Sequence, residues 1–289
     1  MESFNILTID VEDWAGSSLS LLSPGEAKIA RQYLPVNDMQ VERGVRWLMD
    51  RLAKKNMKAT FFVLGQTARA HKKLVKFIQK SGHEVASHSM THAHLPGLSI
   101  NEMEYELIES KKLLEDLVGA SVLGFRAPNL DAYPDTSIFF SKLRAAGYRY
   151  DSSFTARSAK TGLQQNHSDL PGMVIKNEII EFPVTMVNRL LWKVPLGGTY
   201  LKLMEPFMVS NQVKKVNRKN RPAILYLHPY EIDRFPIRWV HPSPSLKARF
   251  SLLLRNLRKD HHIKVLNHLF ENHCFTSVKE YLLKDSYGE

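Results

Sequence analysis

The chain has 289 residues, of which 44% are hydrophobic and 24% are charged. These proportions are typical of globular domains and exclude collagen-like, disordered and low-complexity chains. Lys and Arg outnumber Asp and Glu by 40 to 29, and the formal net charge of +11 favours anionic partners without choosing among nucleic acid, acidic lipid and phosphorylated small molecules. The single cysteine, Cys274, excludes an internal disulfide framework.

The sequence shows no targeting or membrane signal. The N-terminal residues carry no basic segment followed by an apolar one, and the longest apolar runs are far shorter than the ~18 residues of a spanning helix. We therefore expect a cytoplasmic protein that does not cross a membrane. Basic runs at 213–221 and 247–264 do not interleave with aromatic residues, so we interpret them as solvated helix faces rather than a nucleic-acid surface.

Short apolar runs alternate with longer segments of helical periodicity, which is typical of βα units and a parallel sheet. Ser99 and Glu102 predict a capping box for a helix that ends near Val118. Residues 152–178 are polar and aperiodic, and they predict a long loop that could face a substrate. The seven predicted strands lie near residues 5–10, 59–64, 83–87, 122–126, 148–151, 179–184 and 223–228.

Three acidic residues, Asp10, Glu12 and Asp13, crowd the end of the first predicted strand. Neighbouring carboxylates repel one another unless a cation neutralises them or one of them is protonated. A solvated acidic turn is the alternative interpretation. The carboxyl ends of parallel strands form the mouths of α/β active sites, so this position favours a functional role.

Two histidines, His88 and His92, follow the third predicted strand. With one carboxylate they would make a three-ligand site that leaves a position open for water, as in catalytic zinc centres. The spacing alone is weak evidence, and two hydrogen-bonded histidines in a surface turn are the alternative. His94 lies two residues further along and is a weaker candidate ligand.

Three further strand ends carry polar residues. Arg126 would hold a neighbouring carboxylate ionised, and backbone N–H groups after Pro128 could receive an oxyanion. Asp151 is either a turn-former or a partner of Arg126. His228 ends the seventh predicted strand, and its unperturbed pKa of about 6.5 suits a general acid, although a structural core histidine is the alternative.

The five motifs around Asp10, His88, Arg126, Asp151 and His228 each lie at the end of a predicted strand. In type and in order they resemble the motifs of the polysaccharide deacetylase family, the NodB-like carbohydrate esterases. The resemblance covers about residues 5–230. The resemblance implies an α/β fold, an irregular (β/α)7-type barrel with its active site at the C-terminal ends of the strands. It also implies that a divalent metal serves to hydrolyse N- or O-acetyl groups of sugars. We expect one domain over residues 1–289, in which 235–289 form a helical extension.

The resemblance implies a role for each motif. Asp10 would be the base that takes a proton from the attacking water. His88 and His92 would bind the metal. Arg126 matches the arginine of the third motif, and His228 would protonate the departing sugar amine.

The first motif departs from the family pattern, in which the metal-binding Asp directly follows the base. Val11 intervenes here, so the carboxylate ligand is either Glu12 or Asp13. We favour Asp13 slightly, because a shorter carboxylate on the loop can reach a metal without folding back. An Asp-x-acid spacing would instead select Glu12.

The third motif also departs from the pattern, because Asn129 replaces the aromatic residue that usually follows Pro128. The family uses the backbone N–H at that position for the oxyanion, so the change should spare catalysis and alter the groove wall. Asp151 resembles the acid of the fourth motif and is counted with the catalytic residues. The aromatic side chains that could stack on sugar rings are Trp14, Tyr200 and Trp192.

Further segments resemble the exosortase-associated branch of the family, which occurs in gene clusters for exopolysaccharides and surface glycans. We expect Zn²⁺, with Co²⁺, Ni²⁺ and Mn²⁺ as alternatives, and an acetylated sugar or glycan, carried as a lipid-linked oligosaccharide or nucleotide-sugar. The positive charge would suit association with an anionic membrane surface. The segments in question are 10–14, 150–153, 181–183, 196–200 and 228–233.

Three other functions remain open at this point. One is an amidohydrolase that acts on another non-peptide C–N bond, and a second is a catalytically inactive glycan-binding protein. The third is nucleic-acid binding through the basic C-terminal helices, which strong salt dependence of binding would reveal.

Overall fold

The computed structural model describes residues 4–13, 39–155, 174–189, 192–236 and 246–285. The strands are β1 (Phe4–Val11), β2 (Thr60–Val63), β3 (Glu84–Ser87), β4 (Gly124–Phe125), β5 (Tyr150–Asp151), β6 (Val174–Lys176), β7 (Ile179–Glu181), β8 (Met186–Arg189), β9 (Trp192–Pro195), β10 (Ile224–Leu227) and β11 (Cys274–Thr276). The α-helices are α1 (Met39–Lys54), α2 (Gly65–Ala70), α3 (Lys72–Lys80), α4 (Ile100–Val118), α5 (Thr136–Ala145), α6 (Pro206–Asn217), α7 (Pro229–Ile232), α8 (Leu246–Asn256), α9 (Lys259–Asn272) and α10 (Val278–Asp285).

Seven parallel strands form the central sheet in the order β10, β1, β2, β3, β4, β5 and β7. They coincide with the seven strands predicted from the sequence, and the α/β fold of the (β/α) barrel type is confirmed. Strand β6 pairs antiparallel with β7, and β11 pairs with β1. Strands β8 and β9 form a separate hairpin. The capping box of Ser99 and Glu102 and the end of α4 at Val118 also agree with prediction.

The prediction of a long loop over residues 152–178 is partly wrong. Residues 156–173 lie outside the described part of the chain, but 174–176 form β6. Asn177 and Glu178 both have positive φ, 49° and 63°, and connect β6 to β7 as a two-residue hairpin turn. Glu is uncommon at such a turn, which usually has Gly in second place, so the sequence lacked the ordinary hairpin signal.

The two faces of the sheet have different characters. One face, with Leu7, Ile9 and Val11, belongs to the main hydrophobic core that includes the helices. The opposite face begins with a smaller apolar cluster that contains Ile6 and Phe62. Polar residues follow this cluster toward the carboxyl ends of the strands, so the site is built above an apolar base.

Close packing of α1 against α7 positions the chain that follows β10. A Cβ atom at Gly44 of α1 would lie 2.1 Å from the carbonyl oxygen of Pro229 and 2.6 Å from its carbonyl carbon. Because backbone atoms must move to accept it, we expect Gly44→Ala to lower the free energy of unfolding by about 1–3 kcal/mol. The packing cost outweighs the gain of about 1 kcal/mol that alanine brings because it forms helices better than glycine does.

Denaturant unfolding tests this prediction, with Gly97→Ala as the control. A Cβ at Gly97 would have its nearest neighbour, Nδ1 of His94, at 3.9 Å. The control should unfold like the parent protein. If Gly44→Ala is as stable as the control, α1 and α7 do not pack this closely.

No helix within the described residues combines the length and the apolar character needed to cross a bilayer.

Candidate metal and catalytic site

A cavity of about 420 Å³ opens at the carboxyl ends of the central strands. Asp10 lies near the end of β1, and His88, Arg126 and His228 directly follow β3, β4 and β10. The residues that line the cavity are Asp10, Glu12, His88, Asn129, Leu130, Thr199, Tyr200, Leu203, Tyr226, His228, Tyr230, Glu231 and Arg255.

Glu12, His88 and His92 form a buried cluster whose potential ligand atoms all lie within 4.8 Å of one another. Oε2 of Glu12 is 2.5 Å from Nε2 of His92 and 3.6 Å from Nε2 of His88. Nδ1 of His88 is 2.9 Å from the carbonyl oxygen of Arg126, and donation to that oxygen leaves Nε2 of a neutral ring as an acceptor. One carboxylate and two imidazoles facing one another are a donor set that suits Zn²⁺.

Electrostatics in this cluster also favour a cation. Burial would raise the pKa of Glu12, but the charge of His92 and the nearby imidazoles of His88 and His228 outweigh burial and hold that pKa well below its usual range. Burial would lower the pKa of His92, but the charge of Glu12 and a hydrogen bond to it raise that pKa overall. The carboxylate thus attracts positive charge to this point.

The geometry favours Glu12 over Asp13 as the carboxylate of the cluster. Glu12 is 1% exposed and joins the two histidines, whereas Asp13 is partly exposed and is not part of the cluster. Val11 packs into the main core, so Asp10 and Glu12 on either side of it converge on the cavity. Nε2 of His94, the weaker candidate ligand, pairs with Asp131 at 2.7 Å on the surface.

The turn that carries both histidines is held by Glu106 of α4, a buried residue that sequence analysis missed. One carboxylate oxygen of Glu106 accepts hydrogen bonds from the backbone N–H groups of Met90 and Thr91, each at 2.8 Å. The turn needs this support because His92 has a φ of 62°, a conformation that costs a non-glycine residue about 1–3 kcal/mol.

Asp10 pairs with Arg126 next to the cluster. Nη1 of the fully buried Arg126 donates to Oδ1 of Asp10 at 2.7 Å and to Oγ1 of Thr8 at 2.8 Å. Ser152 accepts from the same guanidinium through its carbonyl oxygen and its hydroxyl. The arginine therefore fixes Oδ1 of Asp10 and does not bind the other oxygen, Oδ2. Oδ2 is 3.9 Å from Nε2 of His228.

Nε2 of His228 is 3.6 Å from Oε1 of Glu12, and the partner of its Nδ1 is Glu231. Nδ1 of His228 is 3.2 Å from Oε2 of Glu231, while Oε1 of Glu231 accepts from the hydroxyl of Thr199 at 2.9 Å. The ring of Tyr230 stacks on the imidazole at 4.9 Å. Burial would lower the pKa of His228, but the charge of Glu231 and its hydrogen bond raise it, with smaller contributions from Glu12 and Asp10. Glu231 was quoted in a sequence motif but given no role.

Asp151 does not line the cavity and forms no ion pair with Arg126, whose carboxylate partner is Asp10. Asp151 is fully buried and accepts from both the hydroxyl and the backbone N–H of Ser153. Burial, together with the charge of Asp151, raises the pKa of Glu181 well above its usual range.

The predicted substrate-contacting residues are placed as follows. Asn129, with a φ of 60°, and Tyr200 both line the cavity, and Pro128 is buried beside Asn129. Trp14 lies outside the described residues. Trp192 is 74% exposed on β9 and is not among the residues that line this cavity.

Comparisons with known proteins match two segments of the chain. Residues 28–150 match the family model of polysaccharide deacetylases, and residues 152–283 match a domain of unknown function, DUF3473. Over residues 28–150 the chain is therefore similar to polysaccharide deacetylases. The two matched segments together are typical of the exosortase-associated branch of that family, as the sequence motifs had indicated.

Curated relatives include a peptidoglycan-N-acetylglucosamine deacetylase of Bacillus cereus, which is 31% identical over 102 residues, covering 35% of this chain and 46% of that protein. A chitooligosaccharide deacetylase of Sinorhizobium fredii is 35% identical over 82 residues, covering 28% of this chain and 38% of that protein. The matches thus span less than half the length of these relatives.

Among solved structures, a Mycobacterium smegmatis protein described as a polysaccharide deacetylase aligns with a TM-score of 0.55 and 18% identity. The alignment covers 96% of this chain and 89% of that one. At this identity the likeness establishes the fold alone.

Proposed function

We propose that the chain is a metal-dependent hydrolase that removes acetyl groups from a sugar used in surface-glycan or exopolysaccharide biosynthesis. N-acetyl groups are the preferred target in this proposal. The observation that carries this proposal is one site that brings together the Glu12, His88 and His92 cluster, Asp10 and His228. Nε2 of His228 is 3.6 Å from Oε1 of Glu12 and 3.9 Å from Oδ2 of Asp10. The names of the relatives support an acetylated glycan as substrate.

Glu12, His88 and His92 would hold the metal, with Zn²⁺ as the first choice. Bound there, the cation would act as a Lewis acid that activates water and polarises the acetyl carbonyl. Within this proposal, Asp151 supports the site rather than taking part in catalysis, and both matched segments form one domain around the cavity.

The protein's own groups then move the protons. Oδ2 of Asp10 accepts a proton from the attacking water, while Arg126 holds Oδ1 in place. A C–O bond forms at the acetamide carbon, and backbone N–H donors beside Asn129 stabilise the oxyanion. Nε2 of protonated His228 gives its proton to the amide nitrogen as the C–N bond breaks. The products are acetate and a free amino sugar.

The position of Arg255 supports a substrate that carries a negatively charged group. It lies in α8, lines the cavity, and its guanidinium carbon is 5.4 Å from the centre of the Tyr230 ring. A cation at the wall would favour phosphate on a lipid-linked oligosaccharide or a nucleotide-sugar.

Acetate release from a substrate panel tests the proposed function. The zinc-loaded protein should release acetate from N-acetylated chitooligosaccharides or nucleotide-sugars, with phosphate-bearing substrates preferred. Release from O-acetylated xylan alone would replace the N-acetyl assignment, and ammonia release from simple amides without any acetate would favour an amidohydrolase.

Glu231 is expected to position His228, so Glu231→Gln should lower kcat by about tenfold to a hundredfold with little change in KM. The neutral amide no longer stabilises the imidazolium, so the pKa of His228 should fall and the alkaline limb of the pH–rate profile should move to lower pH.

A pH–rate series checks this prediction, with Glu178→Gln as the control. Glu178 is exposed and pairs with Arg144 on the surface, so the control should keep the parent profile. An unchanged alkaline limb in Glu231→Gln would show that His228 does not depend on this carboxylate.

A further inference from the structure

A second cavity lies away from the catalytic site, between the β8–β9 hairpin and α6 with the loop that follows it. Its volume is about 530 Å³, and it shares no lining residue with the catalytic cavity. None of the catalytic or metal-site candidates lies in its wall, so the proposed deacetylase reaction does not account for it.

The wall of this second cavity is strongly basic. Five cationic side chains line it and no acidic one does. Within the described residues, no ion pair with Asp or Glu neutralises any of the five. The cavity therefore attracts an anion. The five cations are Lys193, Lys215, Arg218, Lys219 and Arg221.

Apolar side chains also line the cavity, among them Met186, Val187, Val216 and Ile224. Aliphatic side chains give nucleic-acid bases nothing to stack on, although they accept the acyl or glycerol part of a lipid. A lining of both basic and apolar side chains matches a phospholipid better than it matches RNA.

Large apolar side chains are exposed on the two elements that flank the cavity. The side-chain amide of Gln212 in α6 donates to the carbonyl oxygen of Asn188 in β8 at 3.3 Å. Met208 lies four residues earlier, about one turn of the helix away, and Trp192 is the first residue of β9. Trp192, Phe207 and Met208 are 74%, 60% and 44% exposed.

We propose that this face, the basic cavity with Trp192, Phe207 and Met208, docks on the surface of a membrane that contains anionic phospholipids. Cationic side chains attract anionic headgroups, and tryptophan is favoured at the interface between headgroups and acyl chains. The proposal concerns a surface separate from the catalytic cavity and goes beyond the proposed function. Exposed apolar groups would contribute nothing to binding a free anion in solution.

Vesicle co-sedimentation with the full chain tests the proposal, using phosphatidylcholine vesicles with and without phosphatidylglycerol. We expect binding only to the anionic vesicles. The triple variant Lys215→Gln, Lys219→Gln, Arg221→Gln should bind them about a hundredfold more weakly. Trp192→Ala should keep the electrostatic attraction but lose the binding that survives added salt.

The matched control is Lys72→Gln, Lys76→Gln, Lys80→Gln, which removes the same charge from exposed positions of α3. It should bind like the parent protein, and thermal unfolding of both triples shows whether each is folded. Equal weakening of both triples, or equal binding to neutral and anionic vesicles, would overturn the proposal. Displacement by inorganic phosphate or RNA at matched ionic strength would also overturn it, in favour of a soluble anion or a nucleic acid.

Discussion

Glu12→Gln should weaken the binding of Zn²⁺ by about a hundredfold or more, whereas Asp13→Asn should leave the affinity almost unchanged. Glu12 is buried against both histidines, and glutamine keeps its shape but supplies a neutral amide in place of the carboxylate. Asp13 is partly exposed and lies outside the cluster, so it is a matched control one residue away.

Titration calorimetry on metal-free protein measures both affinities, and bound metal can be counted independently by elemental analysis. The comparison decides which carboxylate is the ligand. If Asp13→Asn loses zinc and Glu12→Gln keeps it, the arrangement of this site is wrong. Equal and unimpaired binding in both variants would place the metal elsewhere.

Asp10→Asn should lower kcat by roughly 10²–10⁴ while leaving zinc affinity nearly intact. Asparagine can still accept the hydrogen bond from Arg126, but it cannot take a proton from water at neutral pH. The substitution also removes the carboxylate partner of a fully buried guanidinium, so a fall in stability of about 3–5 kcal/mol is expected and must be measured beside the rate.

Ser152→Ala separates these two effects. It removes a 2.7 Å hydrogen bond to the same guanidinium without touching Asp10. The control should lose stability with a much smaller loss of kcat, and zinc binding by Asp10→Asn would show that the variant is folded. If Asp10→Asn keeps most of the activity, Asp10 is not the base.

The fold could be predicted because parallel strands buried on both faces appear as short apolar runs between amphipathic segments. This held even for β4 and β5, which have only two residues each. Strand β6 was missed because it is three residues long and its Asn177–Glu178 turn lacks glycine. Such a short hairpin depends on its neighbour in the sheet more than on its own sequence.

The location of the site could also be predicted, since each polar candidate followed a strand and parallel strands bring their carboxyl ends together. The choice between Glu12 and Asp13 could have been made from Val11. An apolar residue between two acids at a strand end indicates that the acids share the face opposite to it, because side chains alternate along a strand. Val11 is in fact fully buried in the main core.

The supporting residues were harder to find. Glu106 is 16 residues from Met90 in sequence, and it binds backbone N–H groups, for which no local pattern exists. Glu231 did leave a signal, because a carboxylate three residues after His228 at the start of a short helix can reach back to it. Asp151 resembled a catalytic acid in sequence, whereas the structure buries it outside the lining of the cavity, where it accepts hydrogen bonds from Ser153.

The central claim is that this cavity hydrolyses acetyl groups with the help of a metal held by Glu12, His88 and His92. The most direct test measures acetate released from an N-acetylated glycan by one protein preparation, before stripping, after stripping with a chelator, and after reloading with Zn²⁺. We expect release to disappear on stripping and to return in proportion to the zinc bound, but not in His88→Ala. Release that is unaffected by stripping, or zinc that binds the cluster without restoring any release across the substrate panel, would contradict the account.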